Sequence, residues 1–282
     1  MRILITGAAG MLGSDVCRAA NTAGLEVVAL DHAALDVTDA EAVGSVVGHA
    51  RPGAVVNCAA WTDVDGAESS LDVALAANRD GAGNLARAAA ATGAWTVHVS
   101  SDYVFDGTKS EPYVESDPVN PLSAYGRSKL EGEIAVASAS PDSHTIVRSS
   151  WLFGVHGRCF PKTILRLASE REELTVVDDQ LGCPTFTGHL AAALVELVVG
   201  ERPGGVVHAA GGGQCSWFEF ATQVVQSAGL ACRVKPGKTA DLDRAAPRPA
   251  YSVLRSERRG VPELPDWHEG LREFMALEVP VT

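Results

Sequence analysis

The sequence predicts an α/β fold, a Rossmann-type doubly wound parallel sheet with a smaller mixed α/β carboxy-terminal lobe. In the first half, short β-rich apolar runs alternate with alanine-rich helical stretches, the pattern of a parallel sheet flanked by helices. The apolar runs are nearly continuous, as expected when both faces of a sheet are covered. A glycine-rich loop directly follows the first run. We therefore expect an NAD(P)-binding domain over 1–150 and a mainly substrate-binding lobe over 151–282, some segments of which return to the first domain.

The elements follow from these patterns in chain order. In the first half the predicted strands are 2–6, 26–30, 54–58, 96–100 and 144–148, and the predicted helices are 11–23, 40–50, 74–92 and 124–137. After Trp151 the alternation weakens, with short strands at 174–177, 204–208 and 232–234 and helices at 162–170, 189–199, 218–228 and 267–277. The stretch 235–249 is rich in Pro, Lys, Arg and Asp and is the most loop-like part of the chain.

Composition excludes several classes of protein. The chain has 282 residues, of which 46% are hydrophobic and 21% charged, so it can bury a core. A net charge of -12 argues against nucleic-acid and anionic-membrane binding, which both need clustered positive charge. There is no apolar run of the ~18 residues that a spanning helix needs and no signal-peptide pattern. The six cysteines form no CxxC pair and no zinc spacing with histidine, so we expect reduced thiols, no metal site and a cytoplasmic protein.

A nucleotide site is predicted where the first strand enters the GxxGxxG loop of Gly7, Gly10 and Gly13. Glycine at these positions permits a tight turn and close approach to a pyrophosphate, and the following helix offers unpaired N–H groups. Asp31 ends the second strand, where an acid accepts hydrogen bonds from the adenine-ribose hydroxyls. Because an acid there repels a 2'-phosphate, the sequence favours NADH over NADPH.

Tyr125 and Lys129 form a YxxxK motif at the start of a predicted helix. Residues four apart share a helix face, so the phenol and the ammonium can point into one site. A nearby cation favours the ionised phenol, and we therefore expect Lys129 to lower the pKa of Tyr125. Ser101 lies at the carboxyl end of a predicted strand, where open α/β sheets bind ligands. We expect Ser101 to hold a substrate carbonyl oxygen and Tyr125 to protonate it.

With these features in order, the sequence resembles the extended short-chain dehydrogenase/reductases, and among them the dTDP-4-dehydrorhamnose reductase family. The resemblance covers essentially the whole chain. It rests on the segments 7–13, 36–39, 56–68, 100–105, 125–133, 148–151 and 179–185, and on Arg248, Pro249 and Ser252. Two positions depart from the family pattern. Ser101 stands where the family often has threonine, and Cys58 stands where it often has alanine.

The resemblance implies NAD(P)H-dependent reduction of the 4-keto group of a dTDP-4-keto-6-deoxy-L-hexose, the dTDP-4-dehydrorhamnose to dTDP-L-rhamnose type of reaction. Some members dimerise with the help of Mg²⁺, so it also implies a homodimer and a Mg²⁺ ion as options. The catalytic residues are predicted to be Ser101, Tyr125 and Lys129. The cofactor would contact Gly7, Gly10, Met11, Leu12, Gly13, Asp31, Asp36, Asp39, Ala59, Ala60, Trp61, Tyr125 and Lys129, and the substrate Ser101, Asp102, Tyr103, Trp151 and Arg248.

Alternatives remain open at this point. The substrate could be another dTDP-deoxysugar, because the motifs specify nucleotide-sugar reduction better than they specify the sugar. A non-catalytic, cofactor-binding regulatory subunit is the second alternative, although such a subunit needs no proton donor. Trp61 and Trp217 are also typical of core or interface aromatics rather than ligand contacts. Arg148 is more typical of a structural ion pair than of a substrate contact. Arg248 is as typical of a solvated loop as of a diphosphate contact. The composition of 235–248 further suggests a loop that closes over the sugar nucleotide.

Overall fold

A computed structural model describes residues 1–278 and confirms the α/β class. Its central sheet has six parallel strands in the order β10-β5-β4-β3-β1-β2. The strands of the chain are β1 (Arg2–Thr6), β2 (Glu26–Leu30), β3 (Ala54–Asn57), β4 (Trp95–Ser101), β5 (His144–Ser149), β6 (Leu152–Phe153), β7 (Glu173–Val177), β8 (Leu181–Gly182), β9 (Thr185–Phe186), β10 (Gly205–His208), β11 (Cys215–Ser216) and β12 (Arg233–Gly237).

Helices cover both faces of this sheet. The helices of the chain are α1 (Met11–Thr22), α2 (Ala40–Ala50), α3 (Gly66–Ser69), α4 (Leu71–Leu75), α5 (Ala82–Thr92), α6 (Ala124–Ala139), α7 (Phe160–Glu170), α8 (Thr187–Val199), α9 (Trp217–Ser227) and α10 (Trp267–Glu278). Some of them, such as α7, α9 and α10, pack in the carboxy-terminal lobe instead. Along β1, Ile3 and Ile5 pack with α1 and α8, whereas Leu4 between them packs with α2 and α5. This two-sided burial is the physical reason for the continuous apolar strands.

The five strands predicted in the first half agree with the structure to within one residue at each end. The predicted helix 74–92 differs, because the segment begins as α4, passes through a π-helical stretch at Ala76–Gly81 and continues as α5. The stretch 235–249 is also less loop-like than predicted. Its first residues belong to β12, which pairs with β7, and a 3-10 turn follows at Thr239–Asp241.

The carboxy-terminal half divides between two layers. β10 pairs with β5 in the main sheet, and α8 packs on α1. The rest of this half forms three two-stranded pairs, β11-β8, β12-β7 and β6-β9, around a separate apolar cluster. The large aromatics of that cluster are Phe153, Phe186, Phe220, Trp267 and Phe274. This second core faces the carboxyl ends of the sheet strands across a cleft.

Candidate functional site

The cleft contains a cavity of ≈ 1340 Å³ at the carboxyl ends of the sheet strands. It brings together most of the residues predicted from sequence: Gly7, Gly10, Met11, Leu12, Gly13, Asp31, Asp36, Ala59, Ala60, Trp61, Ser101, Asp102, Tyr103, Tyr125, Lys129 and Trp151 all line it. Two predicted residues, Asp39 and Arg248, do not line it.

The glycine loop forms one end of the cavity. Gly7 has φ of +66°, and a Cβ there would lie 2.7 Å from the backbone of Cys58 and Ala59, so the loop packs directly on the end of β3. A Cβ on Gly13 would collide with the backbone of Gly7. Helix α1 then begins after Gly10 with no acidic residue in its first turn. Its unpaired N–H groups are therefore available to an anion.

Acidic side chains lie beyond the glycine loop. Asp31 follows β2, and its Oδ1 accepts a hydrogen bond from the Ala34 N–H at 2.9 Å. Asp36 accepts from the N–H and the hydroxyl of Thr38, and these bonds lower the pKa of the Asp36 carboxyl. Asp39 has a different place from the one predicted. It is the N-cap of α2, where it accepts from the N–H groups of Glu41 and Ala42, so its carboxylate is committed to the helix end.

A buried polar network supports the loop from below. Asn57 Oδ1 accepts from Thr6 Oγ1 at 2.8 Å and from the Ala59 N–H at 3.0 Å, and its Nδ2 donates to His98 Nδ1 at 3.0 Å. Burial, together with the charge of Lys129, holds the pKa of His98 well below its usual range, so the ring is a neutral acceptor. The sequence reasoning missed both residues. Each could have been found as a polar residue inside a strand that is otherwise apolar.

The three predicted catalytic side chains line the cavity near the carboxyl end of β4. Ser101 Oγ donates to Asp102 Oδ1 at 2.9 Å, and the Tyr125 phenol lines the same cavity. The ring of Tyr125 packs edge-on against Tyr103, with centroids 5.5 Å apart. Lys129 Nζ donates to the Val99 carbonyl at 2.8 Å. Ser123 caps α6 by accepting from the Gly126 N–H and so fixes the start of the helix that carries Tyr125 and Lys129.

The expected effect of Lys129 on Tyr125 is corrected by this geometry. Burial raises the pKa of Tyr125 above its usual value, and the nearby Asp102 carboxylate raises it further, with a partial offset from the Ser101 hydroxyl. The Lys129 ammonium is directed at a backbone carbonyl, and its own burial lowers its pKa to about 8. Burial also raises the pKa of Asp102 to about 6. Tyr125 is therefore a protonated donor at neutral pH.

Three groups of polar contacts hold α6, the helix that carries Tyr125 and Lys129, in place. Glu68 of α3 accepts from the Ala124 N–H at 2.8 Å. Asn78, in the π-helical stretch, donates to Ser128 Oγ at 2.8 Å and accepts from the Trp61 N–H at 2.9 Å. A third set of contacts joins the middle of α6 to the sheet. Glu133 pairs bidentately with the buried Arg148, and Ser100 Oγ also donates to the Glu133 carboxylate. Arg148 is thus a structural ion-pair partner, and Glu68 and Asn78 are positioning residues that the sequence reasoning missed.

Two stacked indoles form the wall of the cavity on the carboxy-terminal side. Trp151 has a left-handed backbone, with φ of +48°, and stacks on Trp217 with centroids 3.5 Å apart. Trp217 Nε1 donates to Gln180 Oε1, and Gln180 Nε2 donates to Thr239 of the stretch 235–249. The pair belongs to the site rather than to the core alone. Sequence spacing could not pair them, since 66 positions separate the two residues.

The two arginines near the site differ in their surroundings. Arg248 is paired bidentately with Asp65, with Nη1 and Nη2 at 3.1 and 2.8 Å from the carboxylate oxygens, and lies beside Tyr103. This pair holds the pKa of Asp65 at about 2. Arg158, which the sequence reasoning did not select, lines the cavity.

Within residues 1–278 no group of three His, Cys, Asp or Glu side chains is arranged to hold a metal ion. The Mg²⁺ ion and the homodimer both stay predictions. The same residues contain no helix that is both long and apolar enough to cross a bilayer.

The chain is similar to known proteins over nearly its whole length. The family model described as RmlD substrate binding domain matches residues 1–279. A dTDP-4-dehydrorhamnose reductase of Burkholderia thailandensis is 44% identical over 287 residues, 95% of each chain. A probable dTDP-4,6-dihydroxy-2-methyloxan-3-one 4-ketoreductase of Streptomyces antibioticus is 42% identical over 295 residues, covering 100% of this chain and 98% of that one. The crystal structure of a dTDP-4-dehydrorhamnose reductase of Bacillus anthracis in complex with NADP superposes with a TM-score of 0.94 at 38% identity, covering 98% and 99%.

Proposed function

The chain belongs to the dTDP-4-dehydrorhamnose reductase family and is an oxidoreductase, and we propose that it reduces the 4-keto group of a dTDP-4-keto-6-deoxy-L-hexose. The product would be of the dTDP-L-rhamnose type. One observation carries the proposal. A glycine loop suited to a dinucleotide and the set of Ser101, Tyr125 and Lys129 line the same cavity.

A reduced nicotinamide, when bound, supplies the hydride that the protein lacks. The chain supplies orientation and a proton. Ser101 Oγ, at the end of β4, orients the carbonyl oxygen of the sugar, and Tyr125 Oη donates a proton to that oxygen. The raised pKa of Tyr125 keeps its proton in place until an alkoxide, a much stronger base, forms beside it. Lys129, one helical turn from Tyr125, lines the same cavity and is positioned by the Val99 carbonyl.

We further propose NADH as the preferred cofactor. Asp31 and Asp36 line the cavity beyond the glycine loop, and the lining residues around them carry no lysine or arginine. A 2'-phosphate there would meet negative charge. Because the Bacillus anthracis relative was solved with NADP, both cofactors must be tested on the same preparation. A lower Kd for NADPH than for NADH would refute this part of the proposal.

The sugar end of the cavity supports contacts from Asp102, Tyr103 and Trp151, which line it. Arg248 acts on the substrate side through Tyr103, since its guanidinium is held by Asp65 beside that ring. The stretch 235–249 is attached by the pairing of β12 with β7, by the Thr239 to Gln180 bond and by the Arg248 to Asp65 pair. The proposed closing of this stretch predicts that dTDP-sugar plus NADH will slow its proteolysis, and unchanged cleavage would count against it.

A second candidate keeps the reaction and changes the sugar. The Streptomyces antibioticus relative, named as a 4-ketoreductase for a different dTDP-sugar, is about as similar in sequence as the rhamnose-type relative. The sugar would contact the stacked indoles, an aromatic surface that would select a sugar by its shape rather than by specific hydrogen bonds. A non-catalytic binding subunit does not account for a buried phenol, serine and lysine in one site.

The deciding experiment is an activity screen of dTDP-4-keto sugars with NADH and with NADPH, in which the configuration of each product at C4 is determined. We expect the highest kcat/KM for dTDP-4-dehydrorhamnose with NADH. A higher kcat/KM for another dTDP-4-keto sugar would select the second candidate, and no turnover of any of them would refute both.

A further inference from the structure

The charge of the cavity poses a problem that the proposed function leaves open. Four carboxylates line it, those of Asp31, Asp36, Asp72 and Asp102, whereas Lys129 and Arg158 are the only lysine and arginine among the lining residues. The dinucleotide and the sugar nucleotide each bring a diphosphate. The N-terminus of α1 offers the equivalent of only about half a positive charge. At least one diphosphate therefore needs a cationic side chain.

Lys129 is not available for this role. It is buried, its Nζ donates to the Val99 carbonyl, and its place is beside the reacting groups. Arg248 is not available either, because Asp65 holds its guanidinium bidentately. Arg158 is exposed, and the arginine and lysine salt bridges within residues 1–278 all involve other cations.

The loop that carries Arg158 lies over the first turns of α1. A Cβ on Gly154 would lie 3.3 Å from Met11 Cγ, and one on Gly157 would lie 3.9 Å from Met11 Cβ. Between them, His156 Nε2 lies 3.8 Å from Asp15 Oδ1 on α1. Met11 is the first residue of α1 and follows the glycine loop directly. The loop therefore brings Arg158 to the end of the cavity where a dinucleotide pyrophosphate would meet backbone N–H groups.

We propose that Arg158 binds the pyrophosphate of the nicotinamide dinucleotide and is the cation that lets this acidic cavity hold it. The guanidinium presents a planar fork of donors that matches two phosphate oxygens, whereas the glycine loop donates from the opposite side through its backbone. The inference rests on the proposed cofactor site and not on the identity of the sugar.

The test compares Arg158→Gln, Arg158→Lys and the control Arg166→Gln. Arg166 lies in α7 of the same lobe, is paired with Glu170 and does not line the cavity. Kd values for NADH and, separately, for dTDP are measured by calorimetry at low and high salt, and the melting temperature checks the fold. Arg158→Gln removes charge-assisted hydrogen bonds and should raise the Kd for NADH by about tenfold or more. Arg158→Lys should raise it less, and the control should not change it.

Further results bear on the assignment. The Kd for dTDP should not change in Arg158→Gln, and the salt dependence of NADH binding should be weaker than in the unmodified chain. An unchanged Kd for NADH would overturn the proposal, and so would a weakened dTDP affinity with NADH unaffected, which would place Arg158 on the sugar nucleotide. If the unmodified chain binds NADH but turns over no dTDP-4-keto sugar, only the proposed substrate fails, because the Arg158 effect is measured on binding alone.

Discussion

The two ends of the cavity are built in different ways. At the nucleotide end the surface is mostly backbone, shaped by Gly7 and Gly13, whose missing side chains let loop, strand and helix pack together. At the sugar end the surface is made of side chains, such as Tyr103, Trp151 and Trp217, which come from distant parts of the chain. A surface of backbone depends on glycine at a few positions, whereas a surface of side chains can be changed by single substitutions.

The largest effect should come from the residue where the two ends meet. Tyr125→Phe removes the proton donor but keeps the ring against Tyr103. We expect kcat to fall by about 10²- to 10⁴-fold, with the Kd for NADH and for dTDP within a few-fold of the unmodified values. Retained turnover would mean that another group donates the proton.

A glycine substitution tests the backbone character of the nucleotide end. In Gly7→Ala the new Cβ would meet the backbone of Cys58 and Ala59 at 2.7 Å, on a φ of +66°. Gly24→Ala is the matched control, since its φ is +71° and nothing lies within 4 Å. Both variants should lose about 1 kcal/mol of stability, because alanine is disfavoured in the left-handed conformation. Only Gly7→Ala should also lose NADH affinity, by about tenfold or more, because the close packing of the glycine loop on the end of β3 is broken. Equal NADH affinities in titrations of the two variants would contradict this.

The buried acid at the sugar end should make the stability of the fold depend on pH. Asp102 is 2% exposed, and burial raises its pKa to about 6 from an ordinary 3.8. The folded chain therefore holds this proton to higher pH than the unfolded chain does, and stability is lost as pH rises from about 4 to about 6. The loss should be about 3 kcal/mol, because each pKa unit corresponds to about 1.4 kcal/mol. In urea unfolding, Asp102→Asn should gain that amount over the unmodified chain between pH 4 and 7, and parallel pH profiles would contradict the assignment.

The smallest effect is expected at the indole pair. Trp217→Leu removes the stacking partner that supports Trp151 in its left-handed conformation. We expect about 1 kcal/mol of lost substrate affinity, seen as a five- to tenfold rise in KM for the dTDP-sugar with the Kd for NADH unchanged. Trp217→Phe keeps an aromatic face and should show a smaller rise. A change in NADH affinity instead would place this wall on the cofactor side.

The same contrast explains what the sequence could predict. The strands and the glycine loop depend on local spacing, and β1, β2 and α2 have the predicted bounds. Tyr125 and Lys129 were recognisable because four positions on a helix fix their relation. The capping role of Asp39 was not predicted, because the same carboxylate before a helix was assigned to the cofactor.

Contacts between distant segments could not be predicted in this way. Glu68 reaches the Ala124 N–H across 56 positions, and Trp151 finds Trp217 only once the second core has formed. The pKa of Tyr125 was misjudged for the same reason, since burial and the Asp102 carboxylate depend on the assembled site. Arg158 has no local pattern at all and becomes a candidate only through the cavity that it lines.

The central claim is that a nicotinamide hydride reaches C4 of a dTDP-4-keto sugar in this cavity, with the proton coming from Tyr125. It is tested most directly by turnover of dTDP-4-dehydrorhamnose with NADH carrying deuterium at the transferable position of its nicotinamide C4, followed by NMR of the product. The account predicts deuterium at C4 of a dTDP-L-rhamnose product. Product without deuterium at C4, or oxidation of NADH with the sugar unchanged, would contradict it.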